Sequence, residues 1–197
     1  MVEDKFVTTG YAALDRLVDE FNVPKLILVT HNNKKEFLSD ITTFVSVSGK
    51  IPMAIFSLEL KIEDAIHNLI YSSAHINTDR DDSKNFDTKE WHNISNAMGL
   101  FTEAPIVISD NTTFLSDIED LTNKFRNEYT DTRAMVVIDN LQLIDIAEDW
   151  DHKGKLESII CRLEGLSRST NSIILLLTNH AHKDSRFLDR ISTWVCL

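Results

Sequence analysis

Ala134-Met-Val-Val-Ile-Asp139-Asn-Leu-Gln-Leu-Ile-Asp-Ile146 carries the clearest structural signal in the chain. Its core, Met135 to Ile138, is a short apolar run rich in Val and Ile that ends in a carboxylate, Asp139. Such a run reads as a strand buried on both faces, as in a parallel sheet. A carboxylate at the C-terminal end of a strand of that kind stands where open α/β sheets bind their ligands. The plainer reading is an Asp that ends the strand and caps the following loop.

Whole-chain totals narrow the class. The 197 residues fit one domain, and 43% apolar residues suffice for a sizeable core. No apolar run approaches the ~18 residues of a membrane span, and the start Met-Val-Glu-Asp-Lys has no basic segment leading into an apolar one, so neither a membrane partner nor a signal peptide is expected. Cys161 and Cys196 show neither metal-ligand spacing nor a disulfide pattern, which suits a reducing, cytoplasmic setting. The net charge of −11 weighs against direct DNA binding, because phosphate contacts supply most non-specific affinity. Asn77 to Asp87, the most polar stretch, reads as a surface loop.

Lys25 to Thr30 is expected to form the first buried strand, and Lys34 to Ser48 a helix carrying Phe37, Leu38, Ile41, Phe44, Val45 and Ser48 inward, with Gly49 at its C′ position. Pro52 to Glu59 reads as a second strand. Lys61 to Ala74 reads as a helix with Ile62, Ala65, Ile66, Leu69 and Ile70 inward, and His67 and His75 facing solvent or capping. Asp87 to Glu90 is a capping box opening a helix through Met98, and Ser116 to Glu119 is a second one starting a helix to about Tyr129. Leu156, Ile159, Ile160, Leu163 and Leu166 mark one face of a further helix, and Ile173 to His180 is another core strand. Cys161 reads as a structural thiol, and the His180/His182 pair alone is too little for a metal site.

Several of these segments resemble DnaB-type replicative helicases. Ile138-Asp-Asn-Leu-Gln-Leu143 is similar to the family's Ile-Asp-Tyr-Leu-Gln-Leu, Ala54-Ile-Phe-Ser-Leu-Glu59 to its Ser-Leu-Glu-Met strand, and Ala97-Met-Gly-Leu-Phe-Thr-Glu-Ala-Pro-Ile106 to its Ala-Met-Gly-x-Leu-x-Glu-Ala-Pro-Ile stretch. Thr9-Gly-Tyr-Ala-Ala-Leu-Asp15 is similar to its Thr-Gly-Phe-x-x-Leu-Asp, although Asp19 to Asn22 replaces the usual Gly-Gly turn. The resemblance implies one α/β domain over residues 1–197, a mainly parallel RecA-like sheet with helices on both faces. It also implies a C-terminal truncation relative to the family, without its arginine finger or N-terminal helical domain. Asp139 would then hold Mg²⁺ at the Walker B position, Glu59 would polarise the attacking water, and Asn179 or His180 would stand at an altered γ-phosphate sensor.

The phosphate loop departs from the family. A P-loop runs Gly-x-x-x-x-Gly-Lys-Ser/Thr; its glycines turn backbone N–H groups around the phosphates and its lysine reaches them. Here Thr30-His-Asn-Asn-Lys-Lys-Glu36 has no glycine, and only four residues separate Val29 from Lys34 where the motif has six before its lysine. Lys34 takes the lysine position, Lys35 replaces the metal-binding hydroxyl, and Glu36 adds negative charge. Asn32-Asn33 can turn tightly through positive φ without forming a cradle. No cofactor is therefore expected, with ATP and Mg²⁺ bound only if the loop still functions. Two readings follow: a non-catalytic module in DNA replication whose partner is a replicative helicase or its loader, or an ATP-dependent DNA helicase domain with an atypical loop. The first fits the loop; the second fits the retained Glu59 and Asp139.

Overall fold

A computed structural model describes residues 8–19, 25–76, 86–147, 152–178 and 194–196. Among these residues six strands pair in parallel: β1 (Lys25–Thr30), β2 (Met53–Ser57), β3 (Ile106–Ser109), β4 (Ala134–Asp139), β5 (Ser172–Thr178) and β6 (Trp194–Cys196), in the order β3-β2-β4-β5-β1-β6. The helices are α1 (Ala12–Asp19), α2 (Lys34–Ile41), α3 (Ile62–Ser73), α4 (Thr88–Thr102), α5 (Leu115–Glu128) and α6 (His152–Thr170).

The period-2 alternation of strands explains the layers. Leu26, Leu28, Phe56, Val136, Ile138, Ile174 and Leu176 face α5 and α6. Ile27, Val29, Met53, Ile55, Val137, Leu175 and Leu177 face α1, α2 and α3. Both sheet faces are covered, and every residue of β4 is buried. This is the α/β sheet with two helical layers expected from the sequence. Among the described residues no helix is long and apolar enough to cross a membrane.

Several local expectations need correction. The helix opening at Lys34 is α only to Ile41; Thr42–Ser48 is a π-helix, with Gly49 N–H reaching back to the Phe44 carbonyl at 3.0 Å. The wider turn rotates later side chains off the α phase. Val45 and Val47 are buried, whereas Phe44 is 45% exposed and Ser48 is exposed. Gly49 is the cap itself at φ −79°, and the left-handed residue beside it is Lys50 at φ 54°. Gly49 is needed for close approach, since a Cβ there would lie 2.6 Å from the Val45 carbonyl oxygen.

On α3, Ala65 and Leu69 are buried but Ile66 is 41% exposed and Ile70 only half-buried, because α4 covers the far side of the helix incompletely. His67 and His75 are exposed as expected. The Asp87–Glu90 capping box is present, and its helix runs past Met98 to Thr102. The Ser116–Glu119 box is not formed: α5 begins at Leu115, with Phe114 as a cap that makes no side-chain bond. Glu119 instead receives Arg162 Nε at 2.9 Å.

Near the start, the Thr-Gly motif acts as a clip. Asp15 Oδ1 accepts from the Thr9 N–H and hydroxyl, each at 2.6 Å. Gly10 then turns at φ +86° beneath the Phe44 ring, where a Cβ would meet ring carbons at 2.5 Å. Leu14 is fully buried; Asn22 and its neighbours lie outside the described residues.

The π phase makes a testable distinction between two phenylalanines. Phe37→Ala removes a fully buried ring and should cost about 3–5 kcal/mol in urea unfolding. Phe44→Ala should cost about 1 kcal/mol or less, and an equal loss at both positions would contradict the π register.

Candidate functional site

The C-terminal ends of β1, β2 and β4 converge on one crevice. Glu59 stands just past the end of β2, Asp139 is the last residue of β4, and Lys34 is the first residue of α2. Lys34 Nζ reaches both carboxylates, at 2.6 Å from Glu59 Oε2 and 3.1 Å from Asp139 Oδ1. Asn140 Nδ2 donates to the same Glu59 oxygen at 3.1 Å. Three of the residues expected at the site, Lys34, Glu59 and Asp139, are thus brought together, and Lys35 lines the same crevice. Asn179 lies outside the described residues, as do His180 and His182.

Burial and charge act against one another here. Burial works against the Lys34 charge, but the hydrogen bond with Glu59 and the Asp139 charge hold its pKa above the ordinary value. The Lys34 hydrogen bond lowers the Glu59 carboxyl, against a smaller opposing effect of burial. Asp139 is different: desolvation at the strand end outweighs the nearby ammonium, and its carboxyl is held above the usual range. Glu59, with 47% of its side chain exposed, is the solvent-screened member of the trio.

The loop before α2 is closed by its own side chains. His31 Nδ1 lies 2.9 Å from the Asn33 N–H and accepts from it, with the imidazole stacked on Phe37 at a centroid distance of 5.2 Å. Asn33 Oδ1 accepts the Glu36 N–H at 3.3 Å, and Asn33 Nδ2 donates to Glu36 Oε2 at 3.0 Å. Asn33 turns at φ −122°, so the turn does not use the left-handed region. Two backbone donors at this helix N-terminus, where a phosphate would bind, are therefore shared with a histidine and an asparagine.

The crevice encloses about 110 Å³ beside Lys34, Lys35, Leu38, Glu59, Asn68 and Leu69, well below the ~300–1,000 Å³ typical of small-molecule sites. Among the described residues no group of three or more His, Cys, Asp or Glu could hold a metal ion. Lys34 takes the position between the carboxylates, Lys35 brings a second cation where the metal site needs a hydroxyl, and the Asn33 and Glu36 N–H groups are taken by side chains of the loop itself. These residues do not fit Mg·ATP.

The sequence did not reveal the parts played by four further residues. Asn140, which stands where the related motif has Tyr, bonds Glu59, and its Oδ1 accepts the Gln142 N–H at 3.1 Å. Gln142 Nε2 in turn meets Thr178 Oγ1 at 2.6 Å, joining the ends of β4 and β5. His31 and Asn33 seal the loop. The departure of Asn140 from the motif was the available signal; the roles of His31 and Gln142 depend on folded geometry.

Known proteins share this arrangement of elements. The family model described as DnaB-like helicase C terminal domain matches residues 7–185. The replicative DNA helicase DnaB of Nostoc sp. is 26% identical over 176 residues, covering 87% of this chain and 20% of that protein. Its counterpart from Geobacillus stearothermophilus is 29% identical over 142 residues, covering 70% of this chain and 31% of that protein. The matched region is thus a fifth to a third of the length of these relatives. A solved structure of a DnaB-like replicative helicase and its interactions with primase superposes with a TM-score of 0.77 at 20% identity, covering 90% of this chain and 45% of that one.

The charge triad sets a pH-dependent prediction. Lys34→Met should cost about 1–3 kcal/mol at pH 7, because Asp139 is left as a buried unpaired charge. Asp139 has a raised folded pKa, so its ionised form opposes folding above that pKa and the cost disappears as pH falls through it. Glu59 has a lowered folded pKa, so its contribution is present above the unfolded value and lost on acidification. The deficit of the variant should thus shrink between neutral pH and about pH 4, near the unfolded carboxylate values, and Asp139→Asn in the same background should recover most of it. Denaturant midpoints at both pH values decide this; a deficit that is constant with pH would count against the triad.

Proposed function

The chain belongs to the DnaB-like helicase C-terminal domain family, and from that premise we propose that it acts in DNA replication as a non-catalytic module of that family, docking on a replicative helicase or its loader. The observation that carries the proposal is the Lys34 ammonium held between Glu59 and Asp139 at 2.6 and 3.1 Å. In a working site of this kind the lysine reaches the β- and γ-phosphates while a metal ion sits at the acidic residue. Here the lysine pairs with both carboxylates itself, so neither role is filled. Self-capping of the loop at residues 30–36 supports the same reading, since any phosphate must first displace His31 and Asn33.

Phosphoryl transfer needs phosphate positioning, Mg²⁺ and charge stabilisation together. The retained carboxylates supply neither the first nor the third. A docking role also agrees with the charge of the chain. A domain of net charge −11 is repelled by a phosphate backbone, while a protein surface of opposite sign attracts it.

Mg·ATP at 1 mM would raise the unfolding free energy by about 2.7 kcal/mol if its dissociation constant were ~10 μM. The expected result is no shift in thermal unfolding, no saturable heat in calorimetry, and ATP turnover equal to that of Asp139→Asn. Turnover abolished by Asp139→Asn or Glu59→Gln would return the domain to the ATP-dependent helicases. A pull-down should recover a helicase or loader, while a low-salt gel shift should show no tight DNA complex.

A further inference from the structure

Among the described residues, strand β3 is the edge of the sheet, with β2 as its one neighbour. The ladder starts with Met53 N–H donating to the Pro105 carbonyl at 2.9 Å and pairs Ile55 with Ile108. Successive residues of a parallel strand bond to opposite sides. This phase directs Val107 towards β2 and turns the N–H and C=O of Ile108, with the C=O of Ile106, to the open edge. The Ile106 N–H is taken by the Ala104 carbonyl at 2.8 Å.

Apolar grooves flank this edge on both faces of the sheet. On one face, α3 and α4 wall a groove of about 360 Å³ that contains Ile66 and Met98, 41% and 51% exposed. On the other, a groove of about 250 Å³ lies against α5, with Val107 43% exposed and Leu121 and Phe125 along its wall. Sheets usually blunt an open edge with lysines, bulges or a cover. Ile106-Val-Ile-Ser109 has no such charge.

The surroundings select the occupant. Glu103 precedes the strand and Asp110 follows it, its Oδ2 accepting the Ile62 N–H at 2.8 Å; Glu63 adjoins Ile62 at the start of α3 and Glu128 lines the α5 groove, against Lys61 and Lys124. A second copy would bring the same acidic excess to the same edge. A segment with basic ends meets opposite charge at both ends of β3.

We propose that the β3 edge binds an extended segment of a partner protein, apolar at every second residue and Lys/Arg-rich at its flanks, which adds a strand to the sheet. Its backbone pairs with Ile106 and Ile108, and its apolar side chains enter the α3/α4 groove. The biological meaning rests on the docking role proposed above, but the surface does not depend on the nucleotide crevice.

The test uses the full chain and a fluorescein-labelled synthetic peptide, Lys-Arg-Val-Thr-Val-Thr-Val-Arg-Lys. Anisotropy should show saturable binding, and hydrogen exchange of the Ile108 amide should slow at least tenfold in the complex. Met98→Lys, a change at an exposed position, should weaken binding at least tenfold while thermal unfolding stays unchanged; a Glu-flanked peptide should bind at least tenfold more weakly. Absence of saturation at millimolar peptide overturns the proposal. Binding indifferent to Met98→Lys, with no Ile108 protection, also overturns it as non-specific charge attraction. Concentration-dependent protection of Ile108 without peptide would overturn it in favour of a second copy at the edge. None of these results bears on helicase recovery in the pull-down, so the two proposals fail separately.

Discussion

A carboxylate at the end of a fully buried strand needs a counter-charge, and this need organises the crevice. Every residue of β4 is buried, and Asp139 closes it with 11% of its side chain exposed. Desolvation there favours the neutral acid. The Lys34 ammonium opposes that tendency from 3.1 Å while also bonding Glu59. Asn140 and Gln142 extend the network to β5. The ends of three strands and the start of α2 are thus fixed by one polar cluster, and its central cation belongs to the chain itself.

The short loop explains why that cation is available. With six residues before the lysine, as in a P-loop, the backbone can wrap around an anion and hold the lysine over it. With four residues after Val29, α2 starts almost at once, and its first residue overhangs the carboxylates. His31, stacked on Phe37, and Asn33, capping α2, then satisfy donors that glycines would leave facing outward. Loop shortening, side-chain capping and the pairing of Lys34 with both carboxylates meet at this one turn.

The sheet was legible in the sequence because apolar runs such as those at 26–29, 136–138 and 174–177 must be covered on both faces, a strong and local constraint. The strand-end residues Glu59 and Asp139, with Lys34 beside them, were legible for a related reason, since strand ends converge in any open parallel sheet. What could not be read was phase and partnership. Thr42–Ser48 continues the apolar spacing of an α-helix, and only packing makes it π, turning Phe44 outward over Gly10. Ser116 has the spacing of a cap, but α5 starts too early to use it. Ile66 has the periodicity of a core residue, and its exposure follows from how little of α3 the neighbouring helix covers. Asn140 gave one sign of its role by replacing Tyr, whereas the reach of Gln142 to Thr178 depends on two strands that meet only in the folded sheet.

The position of β1 has a consequence in time. It ends at Thr30 and pairs with β5 and β6, which begin only at Ser172 and Trp194. At roughly 5–20 residues per second, a ribosome needs on the order of 10 to 30 seconds to deliver β5 after β1. During that interval Leu26, Ile27, Leu28 and Val29 lack both of their strand partners, while the helices that cover them, from α1 to α6, are delivered one after another. Non-local parallel pairing is also slow to form once the chain is complete.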